Sequence, residues 1–436
     1  MLALWRRARL RLALAALAAL LGGCGAPDDG GGGFGPGAGP DLGGGPGGAQ
    51  DCDTGNLRCA ATRANFYWGA AGNAGVLGSD DPYRDALGRH FTIMTAENAL
   101  KLPQLQPQPG VFDFSGGDRL ADFARAQGLK MRGHVLIWRE DLEPYLGPEP
   151  SREQAIAFMR THIETVLGHY RANYRDVFVQ WDVVNEAFRS DGSLRDSGWY
   201  RAIGPDFIAI AFRIAHEVWP ELELYYNDFF ELTFNAGGTF VDASGGIDPD
   251  AITPGSGITA GASACNDSHK CAGTAAPLCT DPAGCPGARA FLADLVAAGV
   301  PIDGVGFQAH IATPALAPDW AEFASWVENL NLRWALTELD RPCETGGSAQ
   351  TRSTCFEWQR QAFGDAVAAC AASPYCNTVV QWAVADPYSW WRGLSGGALG
   401  NAVALDDAFG YKPAAQAVLQ ALNAAGPPAA PTLASR

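Results

Sequence analysis

Positive charge is scarce in this chain. Lys and Arg together number 31 against 47 Asp and Glu, a formal net charge of −16. A nucleic-acid binder needs a basic face for phosphates, so no nucleic acid is expected as a partner, and peripheral docking on anionic lipid is poorly served for the same reason. Long apolar runs are also lacking. The run from Leu12 to Leu21 covers about ten residues, too short to span a bilayer. No Gly-x-Gly-x-x-Gly turn follows an early β-like run, which weighs against an open doubly wound sheet. No Cys-x-x-Cys, His-x-His or His-Glu-x-x-His spacing occurs. A metal centre built on His134, His310, Glu97 and Glu338 is therefore not expected. A serine nucleophile on a Gly-x-Ser-x-Gly elbow is not expected either.

What is present fits a large folded unit. The chain has 436 residues, of which 47% are hydrophobic and 18% charged, enough apolar content for one large domain with ends or two medium ones. Arg6, Arg7, Arg9 and Arg11 precede the short apolar run, which ends Leu21-Gly22-Gly23-Cys24. Residues 1–24 thus look like an export signal with a lipobox-like end, and Cys24 would be acylated in a bacterial lipoprotein tethered at the cell surface or outer membrane. The alternative is an ordinary cleaved signal and a secreted protein. Residues 25–59 are Gly-rich at first and read as a flexible tether, and residues 425–436 as a disordered tail.

Apart from Cys24, ten cysteines remain of the 11, an even number in an exported chain. Nearest-neighbour pairing gives short-loop disulfides at Cys52–Cys59, Cys343–Cys355 and Cys370–Cys376. Cys265, Cys271, Cys279 and Cys285 allow three connectivities.

Between residues 60 and 424 the chain alternates β-like runs with amphipathic helical patterns. The β-like runs fall at 66–71, 91–96, 131–138, 177–184, 222–227, 303–309, 333–338 and 378–384, with helical patterns at 118–127, 152–170, 205–217, 287–298, 319–330 and 356–371. Eight such alternations predict an α/β fold, a (β/α)8 barrel, as a single domain. The stretch from about 228 to 286 is then a disulfide-stapled insertion after the fifth strand.

Polar residues collect where these runs end: Glu97 and Asn98, His134 and Trp138, Asn185 and Glu186, Asn227 and Asp228, Gln308 and His310, Glu338 and Asp340, Trp382 and Asp386. In a barrel these ends share the C-terminal face, the usual place of an active site. Glu186 and Glu338, on strands four and seven, would face each other across the mouth. A carboxyl pair suits glycoside cleavage, one protonating the leaving oxygen and the other attacking the anomeric carbon. Apolar Val183, Val184 and Ala187 flank Glu186 and are expected to raise its pKa, while His310 and Asn185 are expected to keep Glu338 ionised.

These residues sit in motifs that resemble family-10 glycoside hydrolases, the endo-β-1,4-xylanases. Thr95–Lys101 (TAENALK), Arg132–Trp138 (RGHVLIW), Trp181–Ala187 (WDVVNEA), Asn227-Asp228, Gly304–His310 (GVGFQAH) and Leu336–Asp340 (LTELD) occur in the family's order. The run 107–114, and Trp382 with Ser389-Trp390, are similar too, and many members carry a disulfide where Cys370 and Cys376 lie. The resemblance covers about residues 64–423. It implies hydrolysis of xylan with retention, with Glu338 as nucleophile and Glu186 as acid/base. It also implies that Asn185 and His134 bind the sugar beside the cleaved bond, that Gln308 and His310 orient Glu338, and that Glu97, Asn98 and Lys101 hold the next sugar. Trp138 would belong to the same site, and Trp382 and Trp390 would wall it by stacking. No cofactor is required, and a monomer is expected.

Four places depart from the family pattern: Leu102, the pair Arg139 and Asp141 after Trp138, Phe229-Phe230, and Trp391. Arg139 and Asp141 would either pair with each other or recognise a decorated sugar such as a uronic acid. Two rivals stay open, retaining chemistry on another β-glycan or glycoconjugate, and a non-catalytic sugar-binding protein. Intact Glu186 and Glu338 count against the latter.

Overall fold

The computed structural model describes residues 53, 55–139, 142–189, 193–229, 287–311 and 319–426. The expected signal, most of the tether, the four-cysteine insertion, Asp141 and residues 427–436 lie outside them.

Eight strands form a closed barrel in chain order: β1 (Tyr67–Gly72), β2 (Ile93–Ala96), β3 (Lys130–Ile137), β4 (Phe178–Asn185), β5 (Glu223–Asp228), β6 (Gly304–Phe307), β7 (Arg333–Leu339) and β8 (Cys376–Gln381). All neighbours are parallel, and β8 closes on β1 with Tyr67 opposite Thr378. This is the predicted (β/α)8 barrel. Strands covered on both faces read as short apolar runs, which is why all eight were visible in the sequence.

The predicted helices are present as Ser115–Gln127, Arg152–Tyr174, Phe207–Val218, Ala288–Ala297, Trp320–Asn329 and Ala349–Ala372. Helix Arg152–Tyr174 begins with a capping box, in which Ser151 and Gln154 satisfy each other's backbone N–H groups. Two further helices, Asp81–His90 and Pro413–Ala424, complete the outer ring. The folded part also starts ahead of residue 60. Leu57 opens helix Leu57–Arg63, is fully buried, and donates its N–H to the Tyr411 hydroxyl at 3.0 Å. Cys343–Cys355 and Cys370–Cys376 are disulfides, as nearest-neighbour pairing predicted. Among the described residues no helix is long and apolar enough to cross a membrane.

The barrel interior is a packed layer that supports the mouth. Arg132 is fully buried, paired with Asp182, bonded to Gln180 at 2.9 Å and stacked over the Tyr225 ring at 4.4 Å. Gly133 is glycine because Trp181 fills its side-chain space. A Cβ there would lie 2.0 Å from the indole. Such filling by large side chains makes the barrel a solid floor rather than a pore.

Candidate active site

Strand register decides which polar side chains meet. Asn185 at the end of β4 pairs with Asn227 on β5, and the Asn227 side chain donates to Asn185 Oδ1 at 2.9 Å and to Glu338 Oε1 at 3.0 Å. Thr337 Oγ1 donates to Asn227 Oδ1 at 2.7 Å and fixes which way that amide points. Just past the end of β6, Gln308 Nε2 donates to Glu186 Oε1 at 2.9 Å and to Asn185 Oδ1 at 3.3 Å. Glu186 and Glu338 are therefore the two ends of one hydrogen-bonded chain through Gln308, Asn185 and Asn227. The family expectation gave Gln308 to Glu338; the structure puts it on Glu186 instead. Asn185 likewise reaches Glu338 only through Asn227.

His310 holds the other oxygen of Glu338. Its Nε2 is 3.3 Å from Glu338 Oε2, and its Nδ1 is 3.0 Å from the buried Asp340 Oδ1. Burial alone would lower its pKa, but Asp340 first and then Glu338 outweigh that and hold it well above the usual histidine range. An imidazolium carries a proton on both ring nitrogens, which suits it to lie between the two carboxylates, and Trp390 Nε1 donates to Asp340 Oδ2 at 2.8 Å. On the opposite wall His134 Nδ1 is 3.0 Å from Asp182 Oδ2, and its ring meets Trp382 edge-on with centroids 5.4 Å apart.

Glu186 departs from expectation. Val183, Val184 and Ala187 belong to the core and do not surround the carboxyl. Arg139 does: its Nε is 3.2 Å from Glu186 Oε2, and the guanidinium lies over Trp138 at 5.6 Å. Burial pushes the Glu186 pKa up, but Arg139 and the Gln308 amide more than cancel it and hold the carboxyl below its ordinary value. The Trp138 indole N–H faces the same carboxyl without reaching hydrogen-bond geometry. Glu186 and Ala309 both take left-handed backbone, φ 54° and 60°. Non-glycine residues there cost on the order of 1–3 kcal/mol each and cluster where surrounding structure fixes a functional group.

Further from the carboxyls, Glu97 Oε2 accepts from Asn73 Nδ2 at 3.0 Å, and Lys101 Nζ donates to Asn98 Oδ1 at 3.0 Å while lying 4.7 Å over Trp138. Asp386 does not join the group; it is buried with Lys412, whose Nζ is 2.9 Å from Oδ2. Three buried carboxylates support the site without having been assigned a role from sequence: Asp182, Asp340 and Asp228. Burial pushes Asp228 up to about 7 despite the Tyr226 hydroxyl, which donates to it, and both groups bond the backbone just after Glu186. Each lies inside a recognised motif, and that was the only signal available. A Gly-x-Ser-x-Gly spacing does occur, at Gly393–Gly397. Its Ser395 is a turn residue, however: Oγ donates to Trp391 O at 2.7 Å and accepts from Leu399 N at 2.8 Å. Among the described residues no His, Cys, Asp and Glu cluster could hold a metal ion.

Two carboxyls joined across the C-terminal mouth of a (β/α)8 barrel, with aromatic walls, define a glycoside hydrolase. The model of "Glycosyl hydrolase family 10" matches residues 56–237 and 285–421. The chain belongs to that family. The chain is 28% identical over 372 residues to endo-1,4-beta-xylanase B of Thermotoga neapolitana, covering 84% of this chain and 90% of that one. It is 29% identical over 334 residues to exoglucanase XynX of Acetivibrio thermocellus, covering 74% of this chain but only 26% of that protein. The chain thus spans about a quarter of that longer relative. Among solved structures, xylanase 10B of Thermotoga petrophila in complex with xylobiose superposes with a TM-score of 0.65 at 26% identity, covering 84% of this chain and 97% of that one.

Proposed function

We propose that the protein is an endo-β-1,4-xylanase that hydrolyses xylan with retention. The observation carrying this is the single network that ends in Glu186 and Glu338. Glu338 is the nucleophile. His310 and Asn227, one on each oxygen, aim its carboxylate. Glu186 gives its proton to the leaving oxygen as the C1–O bond breaks and the C1–Glu338 ester forms. It then takes a proton from the water that hydrolyses that ester. Asn185 and His134 bind the sugar at the cleaved bond, Glu97, Asn98 and Lys101 hold the next one, and Trp138, Trp382 and Trp390 supply stacking faces. In support, the Thermotoga neapolitana relative is named an endo-xylanase and the Thermotoga petrophila enzyme binds xylobiose. The protein works as a monomer, exported and held by a lipid on Cys24. A second reading, chain-end cleavage of a β-glucan, draws on the exoglucanase name of the Acetivibrio relative.

The test is digestion of linear xylan and mixed-linkage β-glucan, following viscosity and product size together. A steep early fall in xylan viscosity with short xylo-oligosaccharides is expected. Glucan cleavage without xylan cleavage would select the second reading.

A further inference from the structure

Arg139 poses a chemical problem for the reaction just described, and this inference rests on that reading. A general acid must carry a proton when the leaving oxygen departs. In the free protein Glu186 faces a guanidinium at 3.2 Å and accepts an amide N–H on its other oxygen, an arrangement that suits the carboxylate and not the acid. Other charges near it do not reverse this. Arg195 adds positive field, Asp228 adds negative field, and the neighbouring Glu338 is already committed to His310 and Asn227. Efficient cleavage therefore needs something to take Arg139 off Glu186 once substrate is bound.

The arginine is placed to be taken. Its side chain is 33% exposed, against 12% for Glu186, so it lies on the solvent side of the pair. Only Nε is used on Glu186, and both Nη groups make no hydrogen bond to a described residue, which leaves an edge of the fork for a second carboxylate. Lys101 lies over the same Trp138 ring, so two cations flank one stacking surface in a chain of net charge −16. Lys101 can serve a neutral xylose unit as a hydrogen-bond donor, but a second cation beside it has no charge to meet on neutral xylose, whereas a uronic acid branch brings one carboxylate per substituent.

We propose that Arg139 makes the enzyme selective for xylan bearing carboxylate branches, the guanidinium passing from Glu186 to the branch carboxylate when substrate binds. Freed of its cation, Glu186 takes up a proton from solvent and delivers it to the leaving oxygen. Arg139 is thus a specificity residue that acts through Glu186.

The experiment measures kcat/KM of the full chain on two xylo-oligosaccharides of equal backbone length, one linear and one carrying a single glucuronic acid branch. The wild type is expected to favour the branched substrate by about tenfold or more, the factor of one charge-assisted bond. Arg139→Gln is expected to lose that preference. It should also shift the alkaline limb of the pH profile on the linear substrate to higher pH, which loss of a merely structural arginine would not do. Arg139→Lys, keeping the charge without the fork, should fall between. Equal rates for the wild type, or a Gln variant that keeps the preference and the pH limb, would overturn the proposal and leave the xylanase intact. Cleavage of neither substrate would overturn both.

Discussion

In the proposed reaction the two carboxyls divide their work through their neighbours. Glu338 is gripped on both oxygens by His310 and Asn227, whereas Glu186 has a half-buried cation on one oxygen and the Gln308 and Asn185 amides on the other. Replacing each therefore has a different signature. Glu338→Gln should abolish turnover on every substrate while the fold persists, checked by kcat and thermal melting; normal turnover would remove it from the nucleophile role. Glu186→Gln should lower kcat/KM on xylan by about 10²- to 10⁴-fold. It should spare the first step on an aryl xyloside, whose leaving group needs no proton. Equal losses on both substrates would argue against the acid role. Motif spacing pointed to both glutamates. It did not show that Gln308 would sit on Glu186, because that amide turns toward Asn185 Oδ1 and Glu186 Oε1, acceptors brought to it from the end of β4 and not by Gln308's own neighbours in sequence.

At the level of elements, close strand packing fixes the site. Gly306 on β6 leaves room for Asn227: a Cβ there would lie 2.4 Å from Asn227 Oδ1 and 2.9 Å from Thr337 Cγ2. Gly306→Ala should push Asn227 off Glu338, costing about 1–3 kcal/mol of stability from overpacking. It should also lower kcat at least tenfold; unchanged kcat in a folded variant would show that Asn227 does not aim the nucleophile. Helix Arg152–Tyr174 carries a different liability. Its His162 is fully buried beside the Phe112 ring, and burial pushes its pKa down to about 4. The unfolded chain would bind that proton near pH 6.5, so stability contributed by neutral His162 is complete above about 6.5. It is lost as pH falls toward 4, by about 3 kcal/mol in total. His162→Phe should flatten the pH dependence of the melting temperature across that window; an unchanged slope would place the acid sensitivity elsewhere. Neither feature was visible beforehand, since a glycine and a histidine inside regular elements look ordinary until their neighbours are known.

For the whole molecule, the proposed tether is the property most easily tested. Cys24→Ser should move the protein from the detergent-extracted membrane fraction to the soluble fraction, and a wild type already soluble would leave only a cleaved signal. Sequence by itself determined the barrel and its eight strands, and singled out the two carboxyls proposed for catalysis. Strands buried on both faces must be short apolar runs, and polar residues at the ends of such runs have only the mouth to occupy. Only the tertiary structure decided who holds whom. Arg139 and Glu186 are far apart in the chain, and neither residue type nor spacing fixes an ion pair that depends on how β3 and β4 end side by side. The expected rise in the Glu186 pKa failed for that reason. Val183, Val184 and Ala187 are its neighbours along the chain, but a carboxyl responds to the charges within a few ångströms, and those come from other strands.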